Sequence, residues 1–242
     1  MWSRPGQIKT IGSFNPTHKT NILPGLVLNV DAGNASSYSG GSTWTNLVGN
    51  GNNITLTGSP TYDGTIGSIT FNGSSQYGSM TTPALLPTGN TISVVVWSYS
   101  SATSGAKIID GVDSGNNTTF AVYAPYTDNS VYWDTAFYGG NATDRIQISV
   151  GAGWLGWHQW AFTKNATTGV MNIYKDGAII LATTGHTRAI QTSAYCLISA
   201  TGFGTPSSFK DGKISQIQIS NVTLTDAQIL ANFTAYRSRY GI

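Results

Sequence analysis

From Gly25 onward the chain alternates short apolar runs with clusters of Gly, Asn, Asp and Ser, the texture of strands separated by turns. The pattern predicts strands over LVLNVD (26–31), SITFNG (68–73), TISVVVWSY (91–99), AKIIDG (106–111), TTFAVYA (118–124) and SVYWDTAFY (130–138). It continues with DRIQISV (144–150), WHQWAFTK (157–164), VMNIYK (170–175), AIILATT (178–184), AYCLISAT (194–201) and KISQIQIS (213–220). Many runs have period two. In VMNIYK, Met171 and Ile173 oppose Val170 and Asn172, whereas KISQIQIS breaks parity at Ser215-Gln216, where a local irregularity is expected. Asp176-Gly177 between two such runs signals a tight hairpin. About a dozen short strands at this spacing imply a two-sheet antiparallel sandwich.

One helix is predicted, over about residues 225–240, in LTDAQILANFTAYRSRYG. Thr225 is its N-cap, and Gln228 three residues later completes a capping box. Asp226 suits the positive end of the helix dipole; Arg237 and Arg239 suit the other end, and Gly241 terminates it. Ile229, Phe233 and Tyr236 recur at helical spacing and would pack on the sandwich edge. Residues 1–24 show no sustained period and are broken by Pro5, Pro16 and Pro24, so they read as an extended arm. The division expected is arm 1–24 and sandwich 25–242. Trp2, Ile8, Phe14, Ile22 and Leu23 give the arm apolar anchors for its own domain or a neighbour.

Composition narrows the classes. Only 9% of the 242 residues are charged, which excludes coiled coils and long helical bundles. All ten acids are aspartates, so glutamate-based hydrolysis has no carboxylate to work with. Cys196, the one cysteine, sits in apolar AYCLIS and reads as a buried, inert thiol. Bases are scattered rather than gathered in a stripe, which argues against nucleic acid; no apolar stretch has membrane-spanning length, and no signal-peptide core opens the chain. Synthesis in a cytoplasm is the expectation.

The runs GLVLNVDAGNASSYSG, STWTNLVGNGNNITLTGSPTYD and GSITFNGSSQYGSM, with Asp31, Trp44, Gly51, Phe71, Gly73 and Tyr77 as landmarks, resemble the opening of concanavalin A-like sandwich domains of the laminin G-like type. GWHQWAFTKNATTGVMNIYKDGAII is similar to that family's central hairpin, and GKISQIQISNVTLTDAQILANFTAYRSRYG to its closing strand and helix. The resemblance covers about residues 25–242 and implies a jelly-roll sandwich. It leaves function open, because the fold hosts lectins, glycosidases, adhesion modules and packing proteins. The version with Asp-Ala-Gly-Asn near its start, here Asp31 to Asn34, and a short closing helix resembles domains of tailed-phage virion proteins.

Hydrolases of this fold place a Glu-x-Asp-x-x-Glu pattern on one strand; nothing here replaces it, and no nucleophile elbow occurs, so no catalytic residues are assigned and the chain is read as a non-enzyme. His18, His158 and His186 lie apart, and His158 is expected to pack against aromatic neighbours. Laminin G-like domains often bind calcium; Asp110, Asp113 and Asn116 in DGVDSGNN are the candidate ligands, set against their ordinary use in turns, and no other cofactor is expected. For glycans the candidates are Tyr126, Trp133, Asp134 and Asn141, with Tyr132 and Asp134 facing opposite to Val131 and Trp133.

Two functions follow. The resemblance and the arm point to a non-enzymatic structural protein on a bacteriophage particle. In that reading it decorates the capsid surface, docked through its arm to other virion proteins and forming a homo-oligomer there. The alternative is a carbohydrate-binding adhesion module, tail or fibre associated, that recognises host glycans.

Overall fold

The computed structural model describes residues 23–80, 86–138, 141–151, 153–202 and 205–242, without the side chains of residues 137, 138 and 141–143. Trp2, Ile8, Phe14 and Ile22 therefore lie outside the described residues. Sixteen strands are described. They are β1 (Leu26–Asp31), β2 (Thr43–Trp44), β3 (Ile54–Thr57), β4 (Thr61–Asp63), β5 (Ser68–Asn72), β6 (Tyr77–Met80), β7 (Thr91–Ser100) and β8 (Ile109–Val112). The second half contributes β9 (Thr118–Tyr123), β10 (Ser130–Tyr138), β11 (Asn141–Ser149), β12 (Gly156–Asn165), β13 (Val170–Lys175), β14 (Ala178–Thr183), β15 (Tyr195–Ile198) and β16 (Asp211–Ser220). Helix α1 (Asp226–Tyr236) and a 3₁₀ turn, Arg237–Tyr240, close the chain. Four strands escaped the sequence pattern: β2, β3, β4 and β6 have two to four residues and lie within Asn-, Gly- and Ser-rich stretches that read as turns.

The strands form two antiparallel eight-stranded sheets. One runs β14-β13-β12-β7-β16-β5-β4 with β1 also paired to β16; the other runs β11-β10-β9-β8-β15-β6-β3-β2. Inward side chains of both, including Trp44, Phe71, Phe120, Trp133 and Phe162, make one core between the sheets. Asp176 and Gly177 both take positive φ (51° and 79°), giving the tight β13–β14 turn that Asp-Gly signals. Cys196 is fully buried, and that burial pushes its thiol well above the usual range.

Strand β16 organises the first sheet. Its first half pairs with β5 and its second half with β1, with a register break against β7 between Ile214 and Gln216, at the predicted irregularity. Arg239 fills the gap this exchange leaves. Its Nε donates to Ile66 O (2.6 Å), Nη1 to Asp31 Oδ1 (2.6 Å), and Nη2 to Gly67 O (2.6 Å) and Ser215 Oγ (2.8 Å). Arg239 thus ties β1, the turn before β5 and β16 together, where the sequence suggested a helix-dipole role. The glycine of VDAGN (30–34) serves this contact: a Cβ on Gly33 would lie 2.0 Å from Arg239 Nη2.

The capping box at Thr225 and Gln228 is formed, with Gln228 N donating to Thr225 Oγ1 and Thr225 N to Gln228 Oε1. The helix packs on the outer face of the first sheet, not its edge. Val95 and Ala161 of β7 and β12 meet Ile229 and Leu224 there, and Trp97 stacks on Phe233 and Tyr240. The central strands are apolar on both faces, so a cover is required. Leu23 belongs to this cluster and is buried in the chain's own domain, which withdraws it as an anchor for a neighbour. A buried amide chain crosses the same interface: Gln159 Nε2 donates to Asn232 Oδ1, and Asn232 Nδ2 to Gln218 Oε1.

Candidate ligand-binding site

With the first sheet covered by α1, the second sheet offers the other large face. Parity along β10 decides which residues reach it. Val131 and Trp133 point into the core, so Tyr132 and Asp134 point out. Trp133 is 0% exposed, lies beside Phe120 and Phe162, and donates from Nε1 to Thr163 O (3.2 Å). It is a core residue, and its assignment to glycan contact is corrected: between two apolar neighbours, Val131 and the inward face of β9, its parity could only be inward.

On β9, Phe120 and Val122 go to the core and Tyr123 comes out, directly opposite Tyr132. On β11, Ile146 is in the core and Arg145 comes out opposite Asp134. Arg145 Nε and Nη2 grip the two Asp134 oxygens at 2.7 and 2.5 Å, a bidentate pair in which Asp134 is 2% exposed and the Arg145 side chain 38%. The hydrogen bond to Asp134 holds the Arg145 guanidinium charged even more firmly than usual. Its plane lies 5.0 Å from the Tyr132 ring centre.

Tyr126, in the turn between β9 and β10, completes the group. Tyr123, Tyr126 and Tyr132 meet edge to face, with centroids 5.3–5.8 Å apart. Tyr132 Oη donates to Asp128, which raises the phenol above its usual range and holds the Asp128 carboxyl below its own. Among the described residues, the hydroxyls of Tyr123 and Tyr126 have no hydrogen-bond partner. Together Tyr123, Tyr126, Tyr132 and Arg145 line a cavity of about 100 Å³. Such a site presents ring faces, two free phenols and the outer N–H groups of a guanidinium, which suits a small ligand rich in hydroxyls.

Of the four sequence candidates, the structure brings Tyr126 and Asp134 to this site, Asp134 as support beneath Arg145. Trp133 it places in the core. Asn141 opens β11 opposite Tyr138, four residues along the strand from Arg145, and its side chain is outside the described residues. Tyr123 and Arg145 were missed. Both were findable, since Phe120 and Val122 on β9, and Ile146 and Ile148 on β11, share an apolar parity that sends their alternates outward.

Two of the calcium candidates are engaged by hydrogen bonds within the chain, and the third turns it. Asp110 is buried and pairs with Lys107 Nζ (2.8 Å), with Thr118 Oγ1 also donating; burial pushes its carboxyl up, against the pull of the Lys107 ammonium. Asp113 Oδ1 accepts from Gly115 N and Asn117 N (both 2.8 Å), and Asn116 takes the left-handed φ of 67° that turns the chain. Among the described residues no three His, Cys, Asp or Glu side chains gather as a metal-binding group. His158 does more than pack: Nδ1 lies 2.7 Å from Asp176 Oδ2 and Nε2 3.1 Å from Leu155 O.

A jelly-roll sandwich with a shallow aromatic pocket on one sheet defines a lectin-like β-sandwich protein. The family model described as "Concanavalin A-like lectin/glucanases superfamily" matches residues 72–230, and the chain belongs to that superfamily. A comparison with curated protein sequences returns no match. Among solved structures, the chain is similar to the binding domain of botulinum neurotoxin DC in complex with rat synaptotagmin II (17% identity, 88% of this chain and 52% of that one, TM-score 0.66). It is also similar to the same toxin's binding domain in complex with SialylT (17%, 89% and 52%, TM-score 0.68). A third is the ligand binding domain of botulinum neurotoxin serotype D in complex with N-acetylneuraminic acid (10%, 87% and 50%, TM-score 0.65). At these identities the likeness is one of fold, and this chain spans about half the length of those chains.

Proposed function

We propose that this protein is a carbohydrate-binding module whose ligand site is the pocket of Tyr123, Tyr126, Tyr132 and Arg145. The observation that carries the reading is the pocket itself: three interlocked tyrosines, two with free hydroxyls, beside a guanidinium oriented by a buried carboxylate. Aromatic faces match the apolar C–H face of a sugar ring, and oriented N–H and O–H groups match its hydroxyls. Two chains similar in fold, each about twice as long as this one, are in complex with SialylT and with N-acetylneuraminic acid, which supports carbohydrate as the class of ligand. The resemblance to tailed-phage virion proteins supplies a setting, a virion surface meeting host glycans. The structural-protein reading drew on that same resemblance and on the arm, of whose anchors Leu23, the one described, is buried against the chain's own helix.

The test is retention on an immobilised panel of neutral and acidic glycans, comparing the native protein with Tyr126→Ala and Arg145→Met. Saturable binding weakened about tenfold by each variant, equivalent to ~1.4 kcal/mol, with unchanged circular dichroism, is expected. Failure to bind across the panel refutes the reading.

A further inference from the structure

We infer that the sugar taken by the tyrosine pocket is uncharged. The inference rests on the carbohydrate reading above and follows from how the charges around the pocket are disposed. Two cations are close to it. Arg145 is held by both oxygens of Asp134, and Lys107, 5.8 Å from the Tyr123 ring centre, by Asp110. A third carboxylate, Asp128, stands exposed at the rim beside Tyr132. Two cations against three carboxylates leave the site with a single negative charge.

A site built for an acidic sugar would present an open guanidinium fork to the incoming carboxylate. Here Asp134 already occupies the Nε/Nη2 edge of the guanidinium and balances its charge. Asp134 is 2% exposed, so it has no route to water if a ligand displaces it, and losing its partner would strand a buried charge. An acidic ligand would also meet Asp128, which its hydrogen bond from Tyr132 keeps ionised well into acid. What remains free is the Tyr123 and Tyr126 hydroxyls, each donor and acceptor, and the outer N–H groups of an Arg145 whose charge Asp134 already balances. A sugar hydroxyl, itself donor and acceptor, complements that set.

The experiment uses the full chain against matched pairs of oligosaccharides: neutral chains ending in hexose or N-acetylhexosamine, and the same chains carrying sialic acid, uronate or sulfate. Dissociation constants are measured at 50 and 500 mM NaCl, with Tyr126→Ala as the site control. Neutral chains are expected to bind with affinities that change less than about twofold with salt, and their acidic counterparts to bind about tenfold or more weakly. Asp128→Asn is expected to narrow that gap. Tighter binding of acidic chains, falling with salt, overturns this inference while leaving the carbohydrate reading in place. Binding that survives Tyr126→Ala puts the sugar elsewhere and overturns it too. Silence of both sets refutes the carbohydrate reading itself, and the inference with it.

Discussion

Replacing Gly33 by alanine tests whether Arg239 closes the sandwich as its contacts indicate. The backbone at Gly33 needs no positive φ, so alanine is excluded by space alone. Its Cβ would lie 2.0 Å from Arg239 Nη2 and 2.2 Å from Cζ, far inside contact distance. Either the guanidinium withdraws, losing its four hydrogen bonds, the Asp31 pair among them, or the β1 end moves and loses them as well. The Asp31 and Arg239 side chains are about one-tenth exposed, so neither recovers full hydration. Breaking a largely buried, hydrogen-bonded pair costs about 3–5 kcal/mol. For a domain of this size, ~4 kcal/mol lowers Tm by roughly 8–16 °C. Urea denaturation of the native protein, Gly33→Ala, Arg239→Ala and the double variant forms a cycle. Gly33→Ala should be severe in the native background and cost less than about 1 kcal/mol once Arg239 is gone. Simple additivity, or a single variant as stable as the native protein, would show that the clash is not with Arg239 and refute the argument.

Trp133→Ala should destabilise the whole domain by about 3–5 kcal/mol in denaturant, because it empties a core site beside Phe120 and Phe162. Loss of binding at unchanged stability would contradict its burial. Lys210 is 2% exposed, and among the described residues its Nζ has no hydrogen-bond partner; burial pushes its ammonium down to about 8, with Asp211 pulling the other way. Because the folded value lies below the unfolded one, the unfolded chain binds more protons between about 8 and 10.5, and this residue makes stability rise with pH across that window. Lys210→Met should therefore be more stable than the native protein at pH 7, by up to ~3 kcal/mol, with the gap shrinking towards pH 10. A gap that is absent or constant with pH would count against a strained buried ammonium.

Much of the architecture was legible in the chain, because most strands lie in apolar runs long enough to stand out from the turns around them. Twelve strands, the Asp176-Gly177 hairpin, the irregularity at Ser215 and the Thr225 capping box are local features, written in neighbouring residues. The missed strands, β2, β3, β4 and β6, are two to four residues set in Asn-, Gly- and Ser-rich stretches, whereas the equally short β8 and β15 sit in longer apolar runs and were found. The candidate site was half legible. Alternation separated Tyr132 and Asp134 from Val131 and Trp133, yet which set faced the core depended on the strands lying beside them. Tertiary structure alone decided the rest. It brought Tyr123 and Arg145 to the same face from strands on either side of β10, sent Leu23 under the chain's own helix, and joined Asp31 to Arg239 across 208 positions. Such contacts are set by strand order and register. Those depend on the summed burial of two whole sheets, a quantity no short stretch of sequence contains.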